Sequence, residues 1–545
     1  MNYIELFAGC GGLSLGLESI GFDLVLANEL SPMAGETFAY NHLQEDLEAQ
    51  SENLFCNTRS LKTKWLSSNY DVSQMTKRLR EDPRLFPEYG DGFCDFTSAE
   101  SLNGGLLVGN IISINKWLEK KPDDMELIKS GFNKGGVDLI SGGPPCQSFS
   151  MAGMREFSNN RNTLPWEFAK FVKKIQPKFA LLENVTGILR PFKVKDKSYY
   201  AWFEVAKVFS QVGYVPLCLH INAKYAGVAQ NRPRFILLAI REDIFDILEP
   251  SFNQSEKILL DPSKKFYKKV KRGKNVEYGS LSFFDATKDA DFSLFKDSFL
   301  RDLVGSRKKY TSVKDAIDDL RNDKVRPSKY AYNLNNYFKS NVKFSLIKNH
   351  EYRRNSDHVK RRFRLYQILN QSSQSTISEV KSFLKGDIDL LSQSTTKEML
   401  KNSYLYYDKT LRSFVTKEEL EDYLATHRTK KQTQKALNAE TPAPATLSIP
   451  DDSCHYHAEE IRTLTVREMA RIQSFPDNFV FRSKVTTGGK MRRFEVPQYT
   501  QVGNAVPPLL GKALGLCVQN LLEREGVGSI TYSSSLITSD DLLEA

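Results

Sequence analysis

The stretch Gly142-Gly143-Pro144-Pro145-Cys146-Gln147-Ser148-Phe149-Ser150 places a thiol on a Gly/Pro turn, directly after the apolar run Val137–Ser141. A thiolate is a strong nucleophile, and a turn at the carboxyl end of a buried strand is where open α/β sheets meet their ligands. Taken alone, the same cysteine reads better as a small buried hydrophobe in a tight turn. Other groups change that balance. Glu183-Asn184-Val185 ends a second apolar run, and Gln230-Asn231-Arg232-Pro233-Arg234 leads into a third. Near the C-terminus, Arg467-Glu468 lies in a helical pattern and Gln501-Val502-Gly503-Asn504-Ala505-Val506 follows it. A carboxyl group, two guanidiniums and a thiol are the makings of covalent catalysis with general acid support.

The elements that must position these groups alternate in type. Strand patterns fall at Tyr3–Phe7, Asp23–Ala27, Val137–Ser141, Phe179–Leu182, Tyr214–Ile221 and Phe235–Ile240. Helical patterns fall between them at Leu13–Ile20, Pro32–His42, Trp166–Lys174 and Tyr199–Val212. Such alternation predicts an α/β fold with a doubly wound, mostly parallel sheet. After the first strand comes the turn Phe7-Ala8-Gly9-Cys10-Gly11-Gly12, and Glu29 sits at the tip of the second. A glycine turn opening a helix brings backbone N–H groups to a ligand, and a carboxylate at the next strand tip accepts ribose hydroxyls. The pair suits an adenosine-containing cofactor without choosing among NAD, FAD and S-adenosylmethionine.

Composition narrows the classes further. A chain of 545 residues with net charge +10 favours two or three domains and an acidic partner such as nucleic acid. Seven cysteines with no C-x-x-C pair argue against a disulfide framework or zinc knuckle. With no leader pattern and no apolar run long enough to span a bilayer, the expectation is a soluble, cytoplasmic protein without a membrane partner.

Together and in this order, the segments make the chain resemble the DNA (cytosine-5) methyltransferase family of bacterial restriction-modification type. The resemblance rests on Phe7–Gly12, Glu29, Pro145-Cys146-Gln147, Glu183-Asn184-Val185, the 230–234 segment, Arg467-Glu468 and Gly503-Asn504. It implies a Rossmann-like catalytic domain with a second, smaller target-recognition domain, and S-adenosyl-L-methionine as cofactor. The expected partition is 1–241 catalytic (43–105 an insertion), 242–443 recognition, and 444–545 a return to the catalytic domain. The expected substrate is double-stranded DNA, a cognate restriction endonuclease is an expected partner, and the protein is expected to be a nucleoid-associated monomer. An RNA cytosine methyltransferase and a catalytically inactive DNA-binding paralogue are the competing readings.

The chemistry explains why these residue types belong together. Carbon 5 of cytosine is too poor a nucleophile to attack a methyl sulfonium, so a thiolate must first add to carbon 6. Cys146 is the candidate nucleophile. A protonated Glu183 would serve ring nitrogen 3, and Arg234, with Arg232, would hold the ring oxygen. The base must be flipped out of the duplex, and Ser148–Asn160 reads as the loop that closes over it. Cofactor contacts are expected from Phe7, Gly9, Gly11, Gly12, Glu29, Leu164, Asn504, Ala505 and Val506. Asn110 stands where the family usually has an aspartate that accepts from the adenine amino group. Basic residues interleave with aromatics in Lys264–Arg272 and in Arg353–Tyr366, which suits phosphate contacts. Thr446-Leu447 resembles a family pair that contacts the target.

Overall fold

The computed structural model describes residues 1–52, 61–145, 163–194, 197–305, 310–321, 326–430, 434–445 and 453–526. Its centre is a nine-stranded sheet. In chain order the strands are β1 (Asn2–Leu6), β2 (Asp23–Glu29), β3 (Thr63–Trp65), β4 (Gly105–Val108), β5 (Leu139–Gly142), β6 (Phe179–Val185), β7 (Tyr214–Asn222), β8 (Pro233–Arg241) and β9 (Phe284–Asp285). Their spatial order is β9-β7-β8-β6-β5-β1-β2-β4-β3, and β8 alone runs antiparallel to its neighbours. The central strands are apolar runs buried on both faces because helices cover both sides, as a parallel sheet requires.

The winding reverses between β1 and β5, which pair in parallel with Leu6 opposite Gly142. At such a switch point the connections leave in opposite directions and open a crevice beyond the carboxyl ends of the strands. Both the glycine turn and the Gly142–Pro145 turn emerge there. The helices used below are α1 (Gly12–Glu18), α2 (Pro32–Phe38), α3 (Ile111–Lys120), α4 (Leu164–Ile175), α5 (Ala201–Gln211), α6 (Gln254–Lys271), α7 (Asp357–Leu369), α8 (Gln374–Lys385), α9 (Lys417–Ala425), α10 (Val466–Ile472), α11 (Gln498–Asn504) and α12 (Pro508–Glu525).

Two regions differ from the sequence expectation. The 43–105 segment is more than a surface insertion, because its Thr63–Trp65 strand extends the sheet edge in parallel with β4. Trp65 and Arg78 are completely buried there. Arg78 donates to Asp95 Oδ1 at 2.9 Å, to Oδ2 at 2.8 Å and to Tyr70 O at 2.7 Å, with its guanidinium 5.1 Å from the Trp65 ring centre. A strand of three residues is too short to show as periodicity.

Nor does the packing divide at residue 242. Leu259 and Leu260 of α6, and residues onward to Phe338, share one apolar cluster with the sheet. Asp285 pairs with His220, which adds β9 to the same sheet. The basic run Lys264–Arg272 is therefore one face of a helix that buries Phe266 and Tyr267, while Lys264 pairs with Glu249 and Lys271 with Glu242. A separate apolar cluster starts only at Val359. It joins α7, α8, α9 and Tyr404, whose strand Tyr404–Leu405 pairs in a hairpin with Leu411–Arg412, and takes in Ala436 and Cys454. The strand–helix alternation does stop near 242, which is why the sequence draws the line there.

The C-terminal segment closes the fold. α12 packs on α1 so tightly that a Cβ at Gly16 would stand 2.4 Å from Lys512 N. Among the described residues no single helix is long and apolar enough to cross a membrane.

Candidate active site

The turn after β5 is shaped by two glycines. A Cβ on Gly142 would stand 2.4 Å from Leu6 O, so only glycine lets β5 lie this close to β1. A Cβ on Gly143 would stand 2.9 Å from Glu183 Oε2, so the missing side chain makes room for that carboxyl. Asn184 Nδ2 donates to Pro144 O at 3.0 Å and fixes the turn against the end of β6. Cys146, which follows Pro145, lies outside the described residues, as do Ser148–Asn160 and Thr446-Leu447.

Glu183 and Arg234 meet through sheet register. Glu183 lies opposite Ile236 and Arg234 opposite Val185, which makes the two side chains diagonal neighbours on one face. Arg234 Nε donates to Glu183 Oε1 at 2.5 Å, and the residues are 7% and 8% exposed. A charge-assisted bond in so dry a place holds both groups in one geometry.

Arg232 behaves differently. Its Nη2 donates to Gly503 O and Ala505 O, both at 3.0 Å, and its Nη1 to Gln230 Oε1 at 3.3 Å. Burial, and then the like charge of Arg234, push its guanidinium well below the ordinary value. It thus brackets Asn504 from behind, whereas the sequence placed it beside Arg234 on the ring oxygen. Asn504 itself is exposed, and Ala505 is buried.

The glycine turn divides its labour. Phe7 and Gly9 both have positive φ (56° and 58°), and nothing lies within 4 Å of a Cβ built on Gly9, which leaves that side open for a ligand. Gly11 and Gly12 instead serve packing within the chain. A Cβ on Gly11 would stand 2.1 Å from His42 Nε2, and one on Gly12 2.2 Å from Val506 O. Sequence reasoning missed this use because His42 and Val506 are remote in the chain.

Glu29 accepts from Gly9 N and Ser31 N, both at 2.8 Å. Burial pushes its carboxyl up, and the backbone donors of Ser31, Gly9 and Leu30 draw it partly back. Each oxygen keeps a lone pair for a hydroxyl group. Asn110 Oδ1 caps α3 by accepting from Ile112 N at 3.0 Å, and Leu164 opens α4 half-buried. An open, glycine-walled turn with a carboxylate at the neighbouring strand tip fits an adenosine group.

Behind the site lies a set of paired charges. In the Arg467-Glu468 pair on α10, Arg467 donates to Lys348 O (3.0 Å), Pro476 O (2.9 Å) and Phe479 O (2.6 Å). Glu468 takes Arg462 in a two-pronged bond of 2.7 and 2.8 Å and also caps its own helix through Thr465. Burial pushes the Glu468 carboxyl up, but the hydrogen bonds and charge of Arg462 outweigh it and bring the value to about 2. These two residues support the fold and do not line the crevice.

The model of the family described as C-5 cytosine-specific DNA methylase matches residues 1–58 and 112–520. The chain belongs to this family. It is a DNA cytosine methyltransferase, and the sheet with its second, smaller helical cluster is the methyltransferase fold in this sequence. The methyltransferase is 27% identical over 520 residues to the Type II methyltransferase M.DdeI of Desulfomicrobium norvegicum, covering 94% of this chain and 87% of that one. It is 25% identical over 528 residues to the Type II methyltransferase M1.HphI of Haemophilus parahaemolyticus, covering 96% and 88%. It is 26% identical over 550 residues to the Type II methyltransferase M.Bpa9945I of Bacillus paralicheniformis, covering 96% and 99%. The family match passes over 59–111, the stretch that holds β3, β4 and Asn110.

Proposed function

We propose that this methyltransferase methylates carbon 5 of a cytosine flipped out of one specific double-stranded DNA sequence, through a covalent bond to Cys146. The observation that carries the proposal is the buried Glu183–Arg234 pair beside the Gly142–Pro145 turn, at the sheet edge that also bears the glycine turn. Cys146 as thiolate adds to carbon 6 of the base, which places electron density on carbon 5. Glu183 holds a proton at ring nitrogen 3 and neutralises the charge that addition creates, while Arg234 fixes Glu183 and faces the ring oxygen. When bound, S-adenosyl-L-methionine supplies the electrophilic methyl group. Glu29 would hold its ribose, Phe7, Gly9 and Leu164 would wall it, Asn110 would take the adenine amino group, and Asn504-Ala505-Val506 would close the far side. Gly11 and Gly12 would act through the shape of the turn. Loss of the carbon-5 proton then lets the Cys146 sulfur leave with its bonding electrons, restoring the thiolate.

Arg232 would be a positioning residue, since it acts on the base only by holding the 503–505 backbone. The 357–436 helical cluster would read the target sequence. The Type II relatives support a restriction endonuclease partner acting on the same site, and we place the protein as a monomer at the bacterial nucleoid. Bisulfite sequencing of DNA from cells expressing the protein tests the function. Protected cytosines confined to one short sequence are expected, and a genome without any new protected cytosine would refute it.

A further inference from the structure

We infer that the first turns of α7, together with the hairpin Tyr404–Arg412, form a phosphate site for the duplex backbone, centred on Arg361 and Arg362. The inference rests on the DNA reading above and adds the place where the helical cluster grips its substrate.

Among the described residues the other deep guanidiniums each hold at least one carboxylate or carbonyl, although Arg78 Nη2 and Arg232 Nε are left without a partner. Arg78 has Asp95, Arg462 has Glu468 and Glu460, and Arg471 has Asp477 and Asp319, while Arg232 and Arg467 end on carbonyls. Arg361 is only 8% exposed, yet among the described residues it makes no hydrogen bond or ion pair, and its buried Nε has no partner. Its contact is the face of Tyr407, 4.3 Å from guanidinium to ring centre. Arg362 repeats the pattern: among the described residues its Nε is buried without a partner, and its Nη2 reaches only His358 Nε2, at 3.2 Å.

Among the described residues, the surroundings offer no counter-charge to these two. The His358 ring lies 5.0 Å from that of His427, which is fully buried with neither ring nitrogen partnered. Burial, and then the positive charges of His358, Arg362 and Arg361, push His427 down to about 3. The nearby acids are engaged elsewhere, Asp357 with Lys409 at 3.6 Å and Asp408 with Arg412. The two guanidiniums lie side by side in the second turn of a 13-residue helix, beside the His358–His427 ring pair. An anion at this place relieves their mutual repulsion. Two guanidiniums suit phosphate oxygens better than any neutral ligand. Tyr407 is 50% exposed, so the stack reaches the surface where a phosphate approaches.

The test uses the full-length protein with S-adenosylmethionine and a duplex carrying the methylated sequence. In an Arg361→Gln/Arg362→Gln double variant, duplex Kd near physiological salt should rise about tenfold. The plot of log K against log salt should flatten by about 1 to 2 units, since each neutralised phosphate contributes about 0.9. S-adenosylmethionine affinity and Tm should not fall, and Arg→Lys at both positions should restore most of the salt slope. An unchanged Kd and slope would overturn the site. So would a fall in Tm shared by the Gln and Lys variants, which marks a structural role. Inorganic phosphate that raises the wild-type Tm without any change in duplex binding by the variant would show a site for free anions only, and also overturns it. Should the double variant not fold, Arg362→Gln alone, the more exposed position, must give about half the slope change. A wild-type protein that neither binds nor methylates duplex would instead refute the function itself.

Discussion

At the carboxyl edge of the sheet the buried charges are held by polar groups of the chain, Glu183 on Arg234 at 2.5 Å and Arg232 on two carbonyls at 3.0 Å. On α7 the similarly buried Arg361 has, among the described residues, an aromatic face and no hydrogen-bond or ion-pair partner. Groups that must hold one geometry for a reaction gain from being locked before substrate arrives, because reorganisation then costs nothing at the transition state. Groups that grip a polyanion gain from being left unsatisfied, because an internal carboxylate would compete with every phosphate. On the proposed reading, a preorganised chemical centre is separate from an expectant binding surface, and the latter lies on an apolar cluster distinct from those that cover the sheet.

Substitutions on the two sides should behave in opposite ways. The largest effect is expected at Glu183. Glu183→Gln should slow methyl transfer by about 10²–10⁴, the usual worth of a positioned proton donor, with duplex Kd changed by less than about threefold. An equal loss in rate and affinity, read from single-turnover rates and Kd, would move Glu183 from chemistry to binding.

Next comes Glu468, a carboxylate in the matched set. Removing its charge leaves Arg462 with Glu460 and the Thr463 carbonyl, and Glu468→Gln should cost about 3 kcal/mol of stability, the lower end of the range for breaking a buried pair. The Glu468 carboxyl is held at about 2 against an ordinary 4.5. Because its folded value is lowered, its contribution is complete above pH 4.5 and is lost as pH falls towards 2. The Tm difference between wild type and Glu468→Gln should therefore shrink over that window, and a constant difference would contradict the pairing. Arg361→Gln, by contrast, removes an unmatched charge and should not lower Tm.

Glu5 sharpens the comparison, since this buried carboxyl under α1 meets the Ser14 hydroxyl and backbone N–H but no paired cation among the described residues, and burial pushes it up to about 8. A raised value means stability present below pH 4.5 and lost as pH climbs towards 8, so Glu5→Gln should raise Tm more at pH 8 than at pH 5. The smallest rate effect belongs to Arg232→Lys. It keeps the charge but not the double grip on Gly503 O and Ala505 O, and should raise KM for S-adenosylmethionine about tenfold at nearly unchanged kcat. A fall in kcat at unchanged KM would return Arg232 to the base.

Part of the candidate site was legible because it sits at strand ends. Apolar runs announce β5, β6 and β8, and Glu183 closes β6, but Arg234 stands at the start of β8 and reaches the same edge only because β8 runs antiparallel, which the mostly parallel reading did not contain. The direction of Arg232 was not legible, because it depends on carbonyls some 270 positions away, contributed by a segment that returns after the helical cluster. The same applies to Gly11 and Gly12, whose neighbours His42 and Val506 are brought in by α2 and α12. The basic runs were legible as basic but not as different from each other. On α6 Lys264 and Lys271 meet acids, whereas on α7 Arg361 and Arg362 do not, and only three-dimensional packing separates the two.

The central claim is that Cys146 bonds to the base. A duplex with 5-fluorocytosine at the methylated position, incubated with protein and S-adenosylmethionine, tests it directly, because fluorine cannot leave as a proton does and the adduct is trapped. Wild-type protein should give a band that survives a denaturing gel, and Cys146→Ala should give none while still binding S-adenosylmethionine. A wild-type protein that methylates ordinary DNA yet forms no such band, or an equal band from Cys146→Ala, would contradict the account.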